Sequence, residues 1–439
     1  MADKRQARGS ASDEAERPLW QIALERGGRR LARLEGRLQR ASWSVASSGV
    51  VVFCLLSVFS CVGPKSAQTK EAPVVRNLPS DEPWIRVLIV ENEERATLAI
   101  DGLCTVVTAD PKTGEATHHA PTATLDGLKD TTVRADGAGL VFEGQARYSG
   151  AIVLRPKNSG AFKVNGKTFP GELALRPTAK GLRIVNLLPL EDYLTGVIGK
   201  EMPLGFPDAA LDAQAVAARS YALWHIQHSG KGGDHDVKND TRSQVYGGAT
   251  EHPKARAVIE RTRGQIATVD GKPFETFFHS TCGGQTVPAH WIFGGKPLAG
   301  LSGADCGRCV SSKYFRWEKS MTEAEVVEGL RRRGISIVSP IDRVRLESWD
   351  RGGYQKSVRI FHDGGMTRVS AGKFRSALRL RSTAFDLEIK GDKWEITGRG
   401  WGHGVGLCQV GAKGFAREGM TGAMIIEHYY PGAAIEKLY

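Results

Sequence analysis

Glu201 closes the segment LLPLEDYLTGVIGKE (187–201) and is followed directly by Met202-Pro203. Proline cannot continue a helix, so a helix running through 190–200 must stop at this carboxylate. The negative end of the helix dipole lies there and disfavours an ionised carboxyl. Partial burial would raise its pKa further and make it a proton donor near neutral pH. Enzymes that cut glycosidic bonds need such an acid. The plainer reading of the segment is a solvated helix-end glutamate beside Lys200.

A second constellation is metal-like. His279-Ser-Thr-Cys282 and Cys306-Gly-Arg-Cys309 lie 23 residues apart, and together they offer the four ligands of a tetrahedral zinc site. Gly283-Gly284 and Gly307 relieve the crowding of such knuckles. A four-ligand site is closed and structural, whereas three ligands plus water can be catalytic. The alternative is a disulfide among Cys282, Cys306 and Cys309. Cys104 and Cys408 stand alone, and Cys54 and Cys61 fall near the N-terminus. His225, His228, Asp234, His235 and Asp236 lack tight spacing and read as a solvated loop.

The elements that must position these groups follow from periodicity. Leu190, Leu194, Val197 and Ile198 recur at helical spacing, and a second helix starts soon after the Met-Pro bend. Alternating runs at 85–90, 140–142, 151–154, 162–164 and 181–187, separated by Gly, Asp, Asn and Pro turns, read as strands. Further strands are expected at 265–271, 274–279 and within 341–396, a short helix at 322–333, and one final helix at about 411–430. The result is a β-rich α+β fold with a two-helix central segment carrying the candidate acid and a C-terminal helix.

The 439 residues are 41% hydrophobic and 25% charged, enough for two compact domains and a leader. The net charge of +12 favours an anionic polymer as partner, either nucleic acid or a bacterial cell wall. No basic-aromatic nucleic-acid signature is present, so nucleic acid is not expected. Residues 1–44 hold ten Lys/Arg against six Asp/Glu and read as a basic cytoplasmic or leader segment. The uncharged run 45–63 is a signal, lipoprotein or membrane-anchor segment, with Val58-Phe-Ser-Cys61 similar to a lipoprotein processing box. The basic flank places residues 64–439 outside the membrane. A linker at 64–82, a β-rich region at 83–180 and a core at 181–439 complete the expected organisation.

Six stretches carry a resemblance to a known family: LPLEDYLTGVIGKEMP (188–203), AQAVAARSYAL (213–223), SQVYGG (243–248), FFHSTCGGQT (277–286), GRGWGHGVGLCQVGAKGFA (398–416) and IIEHYYPG (425–432). In that order they resemble the SpoIID/LytB family of sporulation proteins and amidase enhancers. The likeness spans roughly 150–439 and thins between 318 and 390. It implies peptidoglycan as substrate. Sporulation members are lytic transglycosylases whose Glu in the E-M-P motif, here Glu201, is the catalytic acid. Zinc bound by a His and cysteines is also implied, matching His279 and Cys282, with Cys306 and Cys309 in the later part of the site. Amidase-enhancer members instead imply a partner wall amidase.

A lytic transglycosylase works with one carboxylate, because the sugar's own C6 hydroxyl is the nucleophile. Asp240 is the best second acid in the sequence. Arg219 either binds sugar, tunes the acid or forms a structural salt bridge. Gln214, Ser243, Gln244 and Tyr246 offer sugar-facing hydrogen bonds, although Gln214 and Tyr246 also suit packing. In the Gly-rich loop 400–406, Trp401 can stack on a sugar ring while His403, and Gln409 just after the loop, hydrogen-bond it. The alternative there is a tight turn scaffold.

Overall fold

The computed structural model describes residues 81–439 apart from 118–120, 159, 230–232 and 350–351. The expected leader, the 45–63 apolar run with Cys61, and the 64–82 linker up to residue 80 lie outside the described residues. Among the described residues no helix is long and apolar enough to cross a membrane.

Alternating sequences pair where one face can be buried. Strands β1 (Trp84–Glu93), β2 (Arg95–Ala109), β3 (Ala123–Asp136), β4 (Gly139–Phe142), β5 (Ala146–Ser149), β6 (Ala151–Pro156), β7 (Ala161–Val164), β8 (Lys167–Pro170), β9 (Glu172–Thr178), β10 (Gly181–Pro189) and β11 (Val237–Lys238) form one sheet. Its order is β11-β1-β10-β9-β6-β2-β3-β4-β5, with β7 on β2 and β8 on β7. Because β10 pairs with both β1 and β9, the sheet crosses the position expected as a boundary near 180. β10 then runs directly into α1 (Leu190–Glu201), with Pro189 as N-cap.

The central element is α2 (Asp208–His228), whose run from Ala213 to Leu223 is buried on every side. Its alanines let neighbours approach closely: α1, α3 (Pro253–Arg261) and the strand Gln265–Val269 all pack against it. The helical C-terminus does the same. The expected single helix at 411–430 is instead two, interrupted at 418–421. Gly419 takes φ +91°, which ends the first, and the Thr421 side chain caps the second.

Residues 316–399 carry their own core, built on Trp317, Val326, Leu330, Val358, Ile360, Phe374 and Trp394. Two three-stranded antiparallel sheets and two helices make up this module. One helix, Glu323–Arg331, starts from a capping box between Thr322 and Glu325. The other, Ala371–Leu378, falls where the sequence suggests only strands.

The 225–236 group is not a solvated loop. Asp234 and Asp236 are buried. Asp234 meets Arg183 Nε at 2.9 Å and His235 Nδ1 at 2.7 Å, and also pairs with Arg176. Burial opposes its charge, but these partners hold the carboxyl well below the usual range. Asp236 pairs with Arg86 of β1 at 2.7 Å. The cluster fastens the segment before β11 to the sheet, and its carboxylates are taken.

Candidate active site and thiol cluster

α1 closes on Met202 N donating to Ile198 O at 3.0 Å, and Pro203 prevents another turn. This puts Glu201 at the helix end, partly exposed. The segment 243–249 crosses α1 at Gly196, where a Cβ would stand 2.3 Å from Gly248 O and 2.6 Å from the Tyr246 ring. Only glycine permits that approach. As a result Val245 N donates to Glu201 Oε1 at 2.5 Å. Burial pushes the Glu201 carboxyl above its ordinary pKa, and the Val245 N–H only partly opposes this. Among the described residues no cation forms an ion pair with it.

Gln409 and Gln214 support the same point from the other side. Gln409 Nε2 donates to the Glu201 carbonyl at 2.9 Å and lies 3.3 Å from Gln214 Oε1. Gln214 is fully buried, with its own Nε2 unpartnered. Ser243 is partly buried; its hydroxyl accepts from Lys238 N at 3.2 Å and bonds Tyr221.

Other expected site residues lie elsewhere. Gln244 is fully buried between Tyr193 OH (2.9 Å) and Ala218 O (3.2 Å). Tyr246 is buried and donates to Asn186 Oδ1 at 3.1 Å, so both residues are scaffold rather than sugar-facing. Arg219 is fully buried. Its Nε and Nη2 reach Glu191 at 2.8 and 2.7 Å, and its Nη1 donates to Gln265 O at 3.0 Å. It forms a buried salt bridge, the plainer of the roles expected for it. Asp240 is clamped by Arg242, with Nε at 2.9 and 3.0 Å, which holds its pKa down. Its carboxylate is tied up in that ion pair.

Tyr221 and Glu275 escaped the sequence reading. Tyr221 is buried, meets the His225 ring at a tilt of 49° with centroids 4.3 Å apart, and feels the charges of both Glu275 and Glu201. His225 Nε2 lies 3.2 Å from Glu275 Oε1. Gln214, Ala218, Tyr221 and His225 repeat at helical spacing along one face of α2, and that spacing is the signal that could have found them.

The thiols converge differently from expectation. Cys282, Cys306, Cys309 and Cys408 are buried, carry no disulfide, and their sulfurs all lie within 4.8 Å of one another. Cys282 and Cys309 sulfurs are 3.6 Å apart. Four sulfurs about 2.3 Å from one ion would sit about 3.8 Å from each other, so the donor set fits a tetrahedral metal. Hydrogen bonds among the thiols lower Cys309 and Cys306 and raise Cys282. Burial, before the neighbouring thiols, raises Cys408.

Cys408, which looked isolated, takes the place expected of His279. The strand Phe278–His279 pairs in parallel with Leu407–Cys408, setting His279 opposite Cys408 across the ladder. His279 Nδ1 donates to Val405 O at 3.1 Å, while its Nε2 is buried and unpartnered, and burial pushes its pKa down to about 4. Cys408 caps α7 (Gln409–Arg417), accepting from Gly411 N, and also accepts from Cys282 N, both at 3.3 Å. The next helix is α8 (Gly422–Tyr429), whose Tyr429 OH lies 3.1 Å from Cys306 Sγ.

In the Gly-rich loop Trp401 is 40% exposed. His403 is committed: Nε2 donates to Phe278 O at 2.9 Å and Nδ1 accepts from Val405 N at 3.1 Å. Burial holds it neutral, so it braces the loop and has no nitrogen left for a sugar.

The described order of elements can be set beside known sequences. A family model described as Stage II sporulation protein (SpoIID) matches residues 178–269, from β10 into the strand after α3, and therefore includes Glu201. A domain of unknown function, DUF8618, matches 305–406, the separate module with its flanks. An uncharacterised protein of Brachyspira hyodysenteriae is 31% identical over 313 residues, covering 70% of this chain and 79% of that one. Stage II sporulation protein D of Bacillus subtilis is 29% identical over 306 residues, covering 65% and 84% respectively. The amidase enhancer of Bacillus subtilis is 25% identical over 354 residues, 69% of this chain but 49% of its own length. With the E-M-P helix end, the H-S-T-C strand and the G-W-G-H-G loop brought around one another, and relatives matched over most of its length, the chain belongs to the SpoIID/LytB family.

Proposed function

We propose that this chain is an exported peptidoglycan lytic transglycosylase that cleaves between N-acetylmuramic acid and N-acetylglucosamine, with Glu201 as acid and then base. The observation that carries the reading is the state of Glu201: its pKa is raised by burial, no cation pairs with it among the described residues, and the Val245 N–H holds its carboxyl while the Gln409 side chain holds its backbone carbonyl. Its proton goes to the glycosidic oxygen as the bond to C1 breaks. The resulting carboxylate takes the C6 hydroxyl proton as that oxygen attacks C1, closing a 1,6-anhydro ring. No water enters, so no second carboxylate is needed to activate one. The Val245 N–H, aimed at Oε1, stabilises the carboxylate formed midway.

The four thiols suit zinc, which would tie the loops at 282, 306–309 and 408 together and thereby hold Gln409 against Glu201. The membrane anchor, a lipid on Cys61 or an N-terminal helix, belongs to this proposal, as does a place on the outer side of the membrane. A second reading has one observation in its favour, the likeness to an amidase enhancer: a wall-binding protein that stimulates a wall amidase. Mass spectrometry of purified glycan strands incubated with the full-length chain, wild type beside Glu201→Gln, separates the two. Anhydro ends from wild type alone are expected. Strands bound but uncut by both would move the assignment to the enhancer.

A further inference from the structure

Where the 316–399 module meets the Gly-rich loop, two aromatic rings and two cations share one surface. The Tyr314 ring meets Trp401 at a centroid distance of 4.2 Å and an angle of 75°. The Arg381 guanidinium lies 4.6 Å from the Tyr314 centroid and 5.7 Å from that of Trp401. Lys313 Nζ is 5.0 Å from the Tyr314 centroid. Trp401, Arg381 and Lys313 are exposed.

The backbone holds this arrangement in place. Trp401 and Thr281 exchange hydrogen bonds of 2.7 and 3.1 Å, Gly400 N donates to Tyr314 O at 2.9 Å, and Gly402 N donates to Arg381 O at 3.1 Å. Gly400 has φ +77°, and a Cβ there would lie 2.5 Å from Thr281 O. The three segments can come together only because that position is glycine. The site is therefore preorganised, and it has a charge imbalance: among the described residues neither Arg381 nor Lys313 pairs with a carboxylate.

We propose that Trp401, Tyr314, Arg381 and Lys313 form a subsite for a sugar ring that bears a carboxylate, and that completing it is a role of the 316–399 module. The apolar face of a sugar can lie on the indole. The aromatic faces orient the guanidinium by cation–π contact and leave its N–H edge for a charge-assisted pair. The subsite rests on the glycan reading above but concerns recognition, not bond cleavage. The carboxylate is either the ring's own lactyl group or the acid of an attached peptide.

The test is calorimetric titration of the full-length chain in detergent, carrying Glu201→Gln. The probes are a peptide-free tetrasaccharide of alternating N-acetylglucosamine and N-acetylmuramic acid, its methyl ester, chitotetraose, and the peptide-bearing tetrasaccharide. A carboxylate-bearing probe should bind roughly tenfold tighter than the ester and chitotetraose. Preference for the peptide-free acid assigns the lactyl group, and preference confined to the peptide-bearing probe assigns the peptide. The advantage should vanish in Arg381→Gln and return in part in Arg381→Lys, which controls for folding. Trp401→Ala should weaken every probe. Equal affinities across all four probes, or an advantage that survives Arg381→Gln, would overturn the subsite. Glycan cleavage by wild type is read in parallel. Discrimination without cleavage removes the transglycosylase and leaves the subsite; cleavage without discrimination does the reverse.

Discussion

Helix α1 carries a glutamate near each end, and the two live in opposite environments. Glu191, in the first turn, is buried against Arg219 and also accepts from Gly264 N at 3.3 Å and from Tyr439 OH. Burial opposes its charge, but Arg219 outweighs it and the carboxyl stays below its ordinary pKa. Glu201, in the last turn, is desolvated with one backbone N–H and, among the described residues, no paired cation, and its pKa rises. The helix dipole adds to both trends, favouring charge at the first position and disfavouring it at the second. The lesson is that burial alone does not set a carboxylate's state; the partner does. At one end of the helix the charged carboxylate is favoured and holds the fold; at the other the balance shifts toward the protonated form.

The largest test of this contrast is on turnover. Glu201→Gln should lower glycan cleavage by about 10²–10⁴-fold, the usual worth of a positioned acid, with the unfolding midpoint little changed or raised. Glu191→Gln should act the other way, lowering stability while the folded fraction keeps its rate. Comparable rate losses from both variants would break the division of labour.

Stability comes next. Arg219→Ala leaves the buried Glu191 charge uncompensated and should cost about 3–5 kcal/mol in denaturant unfolding. If Arg219 instead bound sugar, the variant would unfold normally and lose affinity for glycan. A third variant asks whether the acid's end of the helix depends on the thiols. Cys408→Ser removes one thiol of the proposed zinc site while leaving a hydroxyl able to cap α7, whose Gln409 holds the Glu201 carbonyl. Bound zinc measured by atomic emission should fall, with affinity down at least about tenfold, and cleavage should fall with it. Zinc at full occupancy in this variant would separate Cys408 from the site.

These contrasts were unevenly visible in the sequence. The end of α1 was legible because Pro203 is a local, covalent reason for it, and the alternating strands were legible for a similarly local reason. Glu191 and Arg219 pair across 28 residues, and nothing in either segment names the other. Cys408 was missed because the whole 316–399 module separates it from Cys309, while His-x2-Cys spacing drew attention to His279. The ladder between 278–279 and 407–408 is what brings Cys408 in, and strand register between such distant segments is not written in spacing. Ion pairs likewise turned the 225–236 cluster from an apparent loop into a fastening of the sheet. Family likeness supplied the block order but left the module at 316–399 without a role.

The smallest effect tests the contrast most directly, through pH. An unfolded glutamate ionises near pH 4.3. Above that value the unfolded chain releases the Glu201 proton while the folded chain keeps it, so the raised pKa makes folding progressively less favourable until pH passes the folded value. Its stabilising contribution is therefore complete in acid and lost as pH rises. Glu191 behaves in reverse: its contribution is complete above the unfolded value and lost as pH falls through the depressed folded value. Denaturant unfolding from pH 4 to 8 should then show Glu201→Gln gaining on wild type toward the alkaline end and converging with it in acid. Glu191→Gln should lag wild type by a nearly constant amount from pH 8 down to about pH 5, the gap closing only below about pH 4. A constant offset for Glu201→Gln across the range would mean that its carboxyl titrates alike in both states. The proton the mechanism needs would then have to come from elsewhere.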